Sequence, residues 1–137
     1  MAANSRMASA VQILCVMAYK GPAPTNSEVI ARSLRTNPVV VRRLVKDMER
    51  AGLVLVRPGK DGGVQLARPP ARITLDEVHA AVEGGAGVFA LRDGGNPNCP
   101  VNARMADLLT PVFGAADAAV ERTLRKTTLG SLVRAIG

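Results

Sequence analysis

Residues 25–68 read TNSEVIARSLRTNPVVVRRLVKDMERAGLVLVRPGKDGGVQLAR, and the fold turns on how they are parsed. Thr25 and Glu28 have the spacing of a capping box, in which hydroxyl and carboxylate each satisfy a backbone N–H at a helix start. The spacing predicts a helix through Val29, Ile30 and Leu34, broken at Arg35-Thr36-Asn37. Asn37-Pro38 starts a second helix, with Asn as N-cap and Pro at the first helical position, where no N–H is required. It is expected to run to about Arg50 and to stop at Gly52. Val41, Leu44, Val45 and Met48 share one face and read as core. Val39, Arg42, Arg43 and Lys46 share the opposite face, turned to solvent or to an anion.

Leu53-Val54-Leu55-Val56 is a short apolar β-branched run, and Val64-Gln65-Leu66 alternates. Arg57, Pro58, Gly59, Lys60, Asp61, Gly62 and Gly63 lie between them, a glycine-rich hairpin tip with two positive charges. A helix-turn-helix followed by a basic hairpin is a winged helix. The expected fold is mainly α: a winged helix-turn-helix domain with a two-stranded wing, plus a long C-terminal dimerisation helix.

Charge supports the reading. Residues 1–72 carry 12 Lys+Arg against 4 Asp+Glu, whereas residues 73–137 carry 6 against 7. All the excess of the net +7 therefore lies with the winged helix, as binding to a phosphate backbone requires. Aromatics make up 2% of the chain, too few for a reader that stacks single-stranded bases. One His, no nucleophile–base arrangement, no phosphate-cradling loop and no metal-ligand spacing argue against an enzyme. No apolar run reaches the roughly 20 residues of a membrane span and no signal-peptide pattern opens the chain, so a cytoplasmic protein without a membrane partner is expected.

Upstream, Met7, Val11, Leu14 and Ala18 recur at helical spacing and predict a first helix over about Ser5 to Tyr19. Ser5 and Arg6 at its start are either phosphate contacts or part of a frayed terminus. Downstream, Thr74 and Glu77 repeat the capping-box spacing before a short helix carrying Leu75, Val78 and Val82. Gly84 to Pro97 holds five Gly around the apolar Val88-Phe89-Ala90-Leu91 and reads as a linker. From Pro100 a long helix is expected to reach about Arg125, with Pro111 kinking it. Its stripe of Met105, Leu108, Leu109, Val112, Phe113, Ala116, Val120 and Leu124 is too long for a small winged domain to cover and predicts a homodimer interface. Thr127 or Thr128 then caps a last helix with Leu129, Leu132, Val133 and Ile136. The expected divisions are 1–83 for the DNA-binding domain, 84–99 for the linker and 100–137 for the dimerisation helix and final helix.

The chain resembles the Rrf-two (BadM-type) winged-helix regulators of bacteria, relatives of the iron–sulfur regulator IscR and the nitric-oxide sensor NsrR. The stretches that carry the resemblance are Asn37-Pro38-Val39-Val40-Val41-Arg42-Arg43-Leu44, Ala51-Gly52-Leu53-Val54 and Gly62-Gly63-Val64-Gln65-Leu66-Ala67-Arg68. Ile73-Thr74-Leu75, Cys99-Pro100-Val101 and Thr127-Thr128-Leu129 continue it, so it covers essentially the whole chain. The resemblance implies that the helix from Asn37 reads the major groove of double-stranded DNA, that the wing at Arg57–Gly63 reaches the next groove, and that the helix from Val101 makes the dimer. The DNA-binding candidates are then Arg6, Ser27, Thr36, Asn37, Pro38, Val39, Arg42, Arg43, Lys46, Arg57, Lys60, Gly62 and Gly63. Val64 stands where the family often has a bulky aromatic. Cluster-binding members place three cysteines ahead of the long helix. Here Cys99 is alone in that segment, so neither an iron–sulfur cluster nor any other cofactor is expected.

The two cysteines are redox candidates of different kinds. Pro100 makes Cys99 the N-cap of the long helix, where the helix dipole favours a thiolate, so it is read either as a structural cap or as a switch. Cys15 lies mid-helix on the flank of an apolar face, more as a small buried hydrophobe. His79, the sole histidine, reads as packed or exposed in preference to a metal ligand. The expected function is a homodimeric, sequence-specific DNA-binding regulator, a repressor reading an inverted repeat, with thiol oxidation as its signal. The alternative is control by a partner protein or a small-molecule effector.

Overall fold

The structure, a computed structural model, describes residues 5–85 and 87–137. The expected 1–83 and 84–99 divisions thus include residues 1–4 and Ala86, which lie outside the described residues. The chain forms α1 (Arg6–Lys20), α2 (Ser27–Leu34), α3 (Pro38–Arg50), β1 (Val54–Arg57), β2 (Gly63–Leu66), a 3-10 turn (Pro70–Arg72), α4 (Leu75–Glu83), α5 (Pro100–Arg125) and α6 (Leu129–Ile136). The mainly α winged helix-turn-helix with a two-stranded wing stands as read from the sequence.

α1 is the central element. Ala10, Ile13, Leu14 and Met17 on it are essentially inaccessible, packed with Ile30 of α2, the expected Val41, Leu44, Val45 and Met48 of α3, and Val78 of α4. The core is aliphatic, as a chain with so few aromatics must make it. Leu129 is fully buried in the same core, so α6 folds back onto α1. Two backbone links guide that return: Leu75 N–H donates to Thr127 O at 3.0 Å and Leu129 N–H to Ile73 O at 2.8 Å.

β1 and β2 pair antiparallel with Val54 opposite Leu66 and Arg57 opposite Gly63. Leu53 was expected in the first strand. It lies just before β1, buried, and its carbonyl accepts from Ala67 N–H at 2.9 Å.

One local reading is corrected. Thr25 does not cap α2: Asn26 does, its side chain accepting from Glu28 N–H at 2.7 Å. Thr25 is instead drawn into the wing. Its N–H donates to Val64 O at 2.8 Å and its carbonyl accepts from Val64 N–H at 2.9 Å, with Thr25 itself buried. A capping box would need those backbone groups turned toward the helix, and the pairing with Val64 outcompetes it. The second capping box does form, Glu77 accepting from the N–H of Thr74 at 3.2 Å and from its hydroxyl at 3.0 Å. Arg68 also pairs with Glu77 at 2.6 Å, and this guanidinium holds the carboxyl below its usual range, against the opposing effect of burial.

Gly63 is fixed by the same bridge. Its φ is +144°, and a Cβ there would stand 2.6 Å from the Thr25 carbonyl oxygen. Gly63→Ala is expected to destabilise the protein by about 1–3 kcal/mol, the range for a strained backbone with a steric clash. Urea unfolding of parent and variant measures it, and an unchanged midpoint would show that the wing does not depend on this close approach.

Candidate nucleic-acid interface

α3 is built to present one face. Asn37 caps it, its side chain accepting from Val39 N–H at 2.8 Å, and Pro38 occupies the first turn. Such a cap contributes about 1 kcal/mol and fixes where the helix begins. With Val41, Leu44, Val45 and Met48 anchored in the core, Arg42, Arg43 and Lys46 are left exposed, and Val39 keeps 43% of its surface. The turn before it is tight. Arg35 adopts a left-handed conformation (φ 53°) and Thr36 N–H donates to Ala31 O at 3.1 Å, closing α2.

The wing lies beside this face. A cleft of about 350 Å³ between α3 and the hairpin is lined by Ser27, Arg42, Lys46, Arg57 and Gly63, five of the sequence candidates from three parts of the chain, with Glu49 also on its wall. Arg57 Nε donates to Gln65 Oε1 at 3.1 Å, which steadies the side chain against its strand. Lys60 stands exposed at the tip, in a turn closed by Gly62 N–H to Gly59 O at 3.1 Å. Thr36, Asn37 and Pro38 line a second hollow of about 540 Å³ at the helix-turn-helix corner, together with Arg32 and Arg35. Those two arginines are not among the sequence candidates, although as two cations flanking the turn that feeds α3 they are visible in the sequence. Arg6 is placed differently from the rest, its guanidinium 3.0 Å from Glu83 of α4.

α5 stands apart from the core. None of the residues Pro100–Arg125 is buried in the monomer. Val101, Met105, Leu108 and Val112 are exposed at 64, 38, 52 and 61%. Their spacing of four, three and four is that of a coiled-coil seam. Leu109, Phe113, Ala116, Val120 and Leu124 are half-covered. Part of that cover comes from the glycine-rich loop: Phe89 packs against Phe113 in a tilted pair, 5.4 Å between ring centroids, and Val88 N–H donates to Asp117 Oδ1 at 2.8 Å.

Cys99 is the N-cap of α5, half-buried, with no hydrogen bond from its side chain to the helix end. Cys15 is buried on α1, and desolvation pushes its thiol above the usual range, which leaves it less thiolate. His79 is half-buried on α4. Among the described residues no three side chains of His, Cys, Asp or Glu gather into a metal site, and no helix is long and apolar enough to cross a membrane.

Comparison with known proteins agrees with this geometry. The family model Rrf2, described as an iron-dependent transcriptional regulator, matches residues 3–135. YwnA of Bacillus subtilis (strain 168), which carries the name of an HTH-type transcriptional regulator, is 37% identical over 126 residues, 92% of each chain. A crystal structure described as that of a DNA-binding protein aligns with a TM-score of 0.75 at 34% identity, over 93% of this chain and 98% of its own. CymR of B. subtilis, described as the global cysteine regulator, shares the fold with a TM-score of 0.69 at 24% identity, over 98% of this chain and 97% of its own. A basic helix held beside a basic wing, in a chain matched over nearly its whole length, places the protein in the Rrf2 family of transcriptional regulators: a DNA-binding winged-helix protein, not an enzyme.

Proposed function

We propose that this member of the family is a cytoplasmic homodimer that represses transcription by reading an inverted repeat with the helix at 38–50 and the wing at 57–63. The observation that carries the reading is the α3–wing cleft, where Arg42, Lys46 and Arg57 converge beside the exposed Val39 and Arg43. Side chains on the exposed face of a helix reach base edges, whereas cations on a hairpin tip reach phosphates and set orientation without reading sequence. Dimerisation is supported by the seam of Val101, Met105, Leu108 and Val112, apolar surface that a monomer leaves in water. A two-fold pairing of α5 presents two copies of α3 to two half-sites.

The family description names iron, and the donor set here does not fit it. Each chain offers Cys99 at the head of α5, while Cys15 is buried on α1 and His79 belongs to α4. We therefore assign no iron–sulfur cluster to this chain. The signal we assign is oxidation of Cys99, the more accessible of the two thiols. A thiol oxidant takes two electrons and two protons from the two Cys99 side chains of a dimer and leaves one S–S bond at the head of the paired helices.

Two outcomes are expected. Arg43→Ala costs about 1–3 kcal/mol on the cognate site and relaxes specificity there, whereas Lys60→Ala weakens cognate and random DNA alike and lowers the salt slope by about 1. Equal losses on cognate and random DNA for Arg43→Ala would remove it from the base contacts. Diamide releases the parent from DNA and leaves the Cys99→Ser protein bound. Release of both by the oxidant would move the signal elsewhere.

A further inference from the structure

A groove of about 620 Å³ runs along the seam between α1 and α2, and of the residues named at the candidate nucleic-acid interface it shares only Arg32. Val16, Val29 and Ile136 give it an apolar lining, with the buried Cys15 among them. Gln12 of α1 stitches the seam beside it, its Nε2 donating to the backbone oxygen of Ser33 at 3.1 Å and to the Ser33 hydroxyl at 3.3 Å. Lys20 and Arg32 bring two positive charges to its edge, and no acidic side chain lines it. Neither cation takes part in a salt bridge among the described residues, although Arg6, Arg50, Arg68 and Arg125 each have one.

We propose that this groove binds a small amphipathic anion, a carboxylate on an aliphatic or aromatic body. The volume falls within the range of small-molecule sites, which are mostly apolar with a few polar groups that fix orientation. Apolar walls favour a hydrocarbon body. Two cations with no neighbouring acid favour a carboxylate over a neutral or cationic head, since a guanidinium and a carboxylate form the strong, charge-assisted class of hydrogen bond. The acid-lined hollow between α4 and α5 has the opposite character: Asp76 pairs with Arg125, Glu77 with Arg68 and Glu83 with Arg6, and Asp117 and Glu121 keep it acidic. A ligand in the α1–α2 groove touches α2, the helix that hands the chain to α3.

Tyr19 lines the groove and is the sole tyrosine in a chain without tryptophan, so tyrosine emission reports on this place alone. The probe is sodium octanoate titrated into the full chain at constant ionic strength, with octanamide as its neutral counterpart. Octanoate is expected to change the emission saturably. Octanamide is expected to bind at least about tenfold more weakly, as is octanoate to a Lys20→Gln/Arg32→Gln protein, since the loss of even one charge-assisted contact is a step of that size. Both substituted side chains are exposed, so the variant keeps the core of the parent. No saturable change, or equal binding by octanamide or by the double variant, would overturn the proposal. So would an emission change that follows protein concentration instead of octanoate, which would make the groove a contact between copies.

Discussion

Two hydrogen bonds between Thr25 and Val64 hold the wing against the entrance of the helix-turn-helix. A two-stranded hairpin alone is marginal in water, and this one has four residues in each strand. The bridge adds a third backbone to the sheet at the point where Val54 and Val64 enter the core. Its geometry demands a residue without a Cβ at position 63. Once the wing is fixed there, Arg57 and the α3 cations share one cleft. The proposed DNA-binding surface is thus assembled by a contact that itself carries no charge.

The aliphatic core sets the rest. α1 packs against every helix of the winged unit, and α6 returns from the far end of the chain to complete its cover through Leu129. That return leaves α5 outside, with a seam of large apolar side chains facing water. Burial of such surface stabilises association by about 25 cal/mol per Å² before the costs of ordering two chains are subtracted. The same division separates the charges. The excess of Lys and Arg lies in residues 1–72, while residues 73–137 are close to neutral, so two α5 helices can approach without the repulsion that two basic domains would impose.

What the sequence disclosed was what local chemistry decides. Asn37-Pro38 cannot be much other than a helix start, and the 3.6-residue spacing of Val41, Leu44, Val45 and Met48 faithfully gives the buried face. The glycine pair between two β-branched runs forms the expected hairpin. Thr25 was misread because a local rule met a non-local competitor: the Thr-x-x-Glu spacing is the same whether or not a distant strand claims the backbone. The cover on α5 was hidden for a similar reason. Nothing in the pattern of Phe89 or Asp117 shows that the loop and helix meet, since the contact depends on where α4 ends. Arg32 and Arg35 lie off the face of α3 that helical periodicity marks, on the turn that feeds it, where no spacing rule points to them. Cys15, which its place on the flank of an apolar face marks as a small buried hydrophobe, is buried on α1.

Reading of DNA by a two-fold dimer, with α3 and the wing acting together, is the central proposal. Hydroxyl-radical footprinting of the reduced protein on the DNA upstream of its own gene tests this most directly. Two equivalent protected half-sites, related by an inverted repeat and centred one or more helical turns apart, are the predicted result. One asymmetric patch, or even protection along the whole fragment, would contradict it.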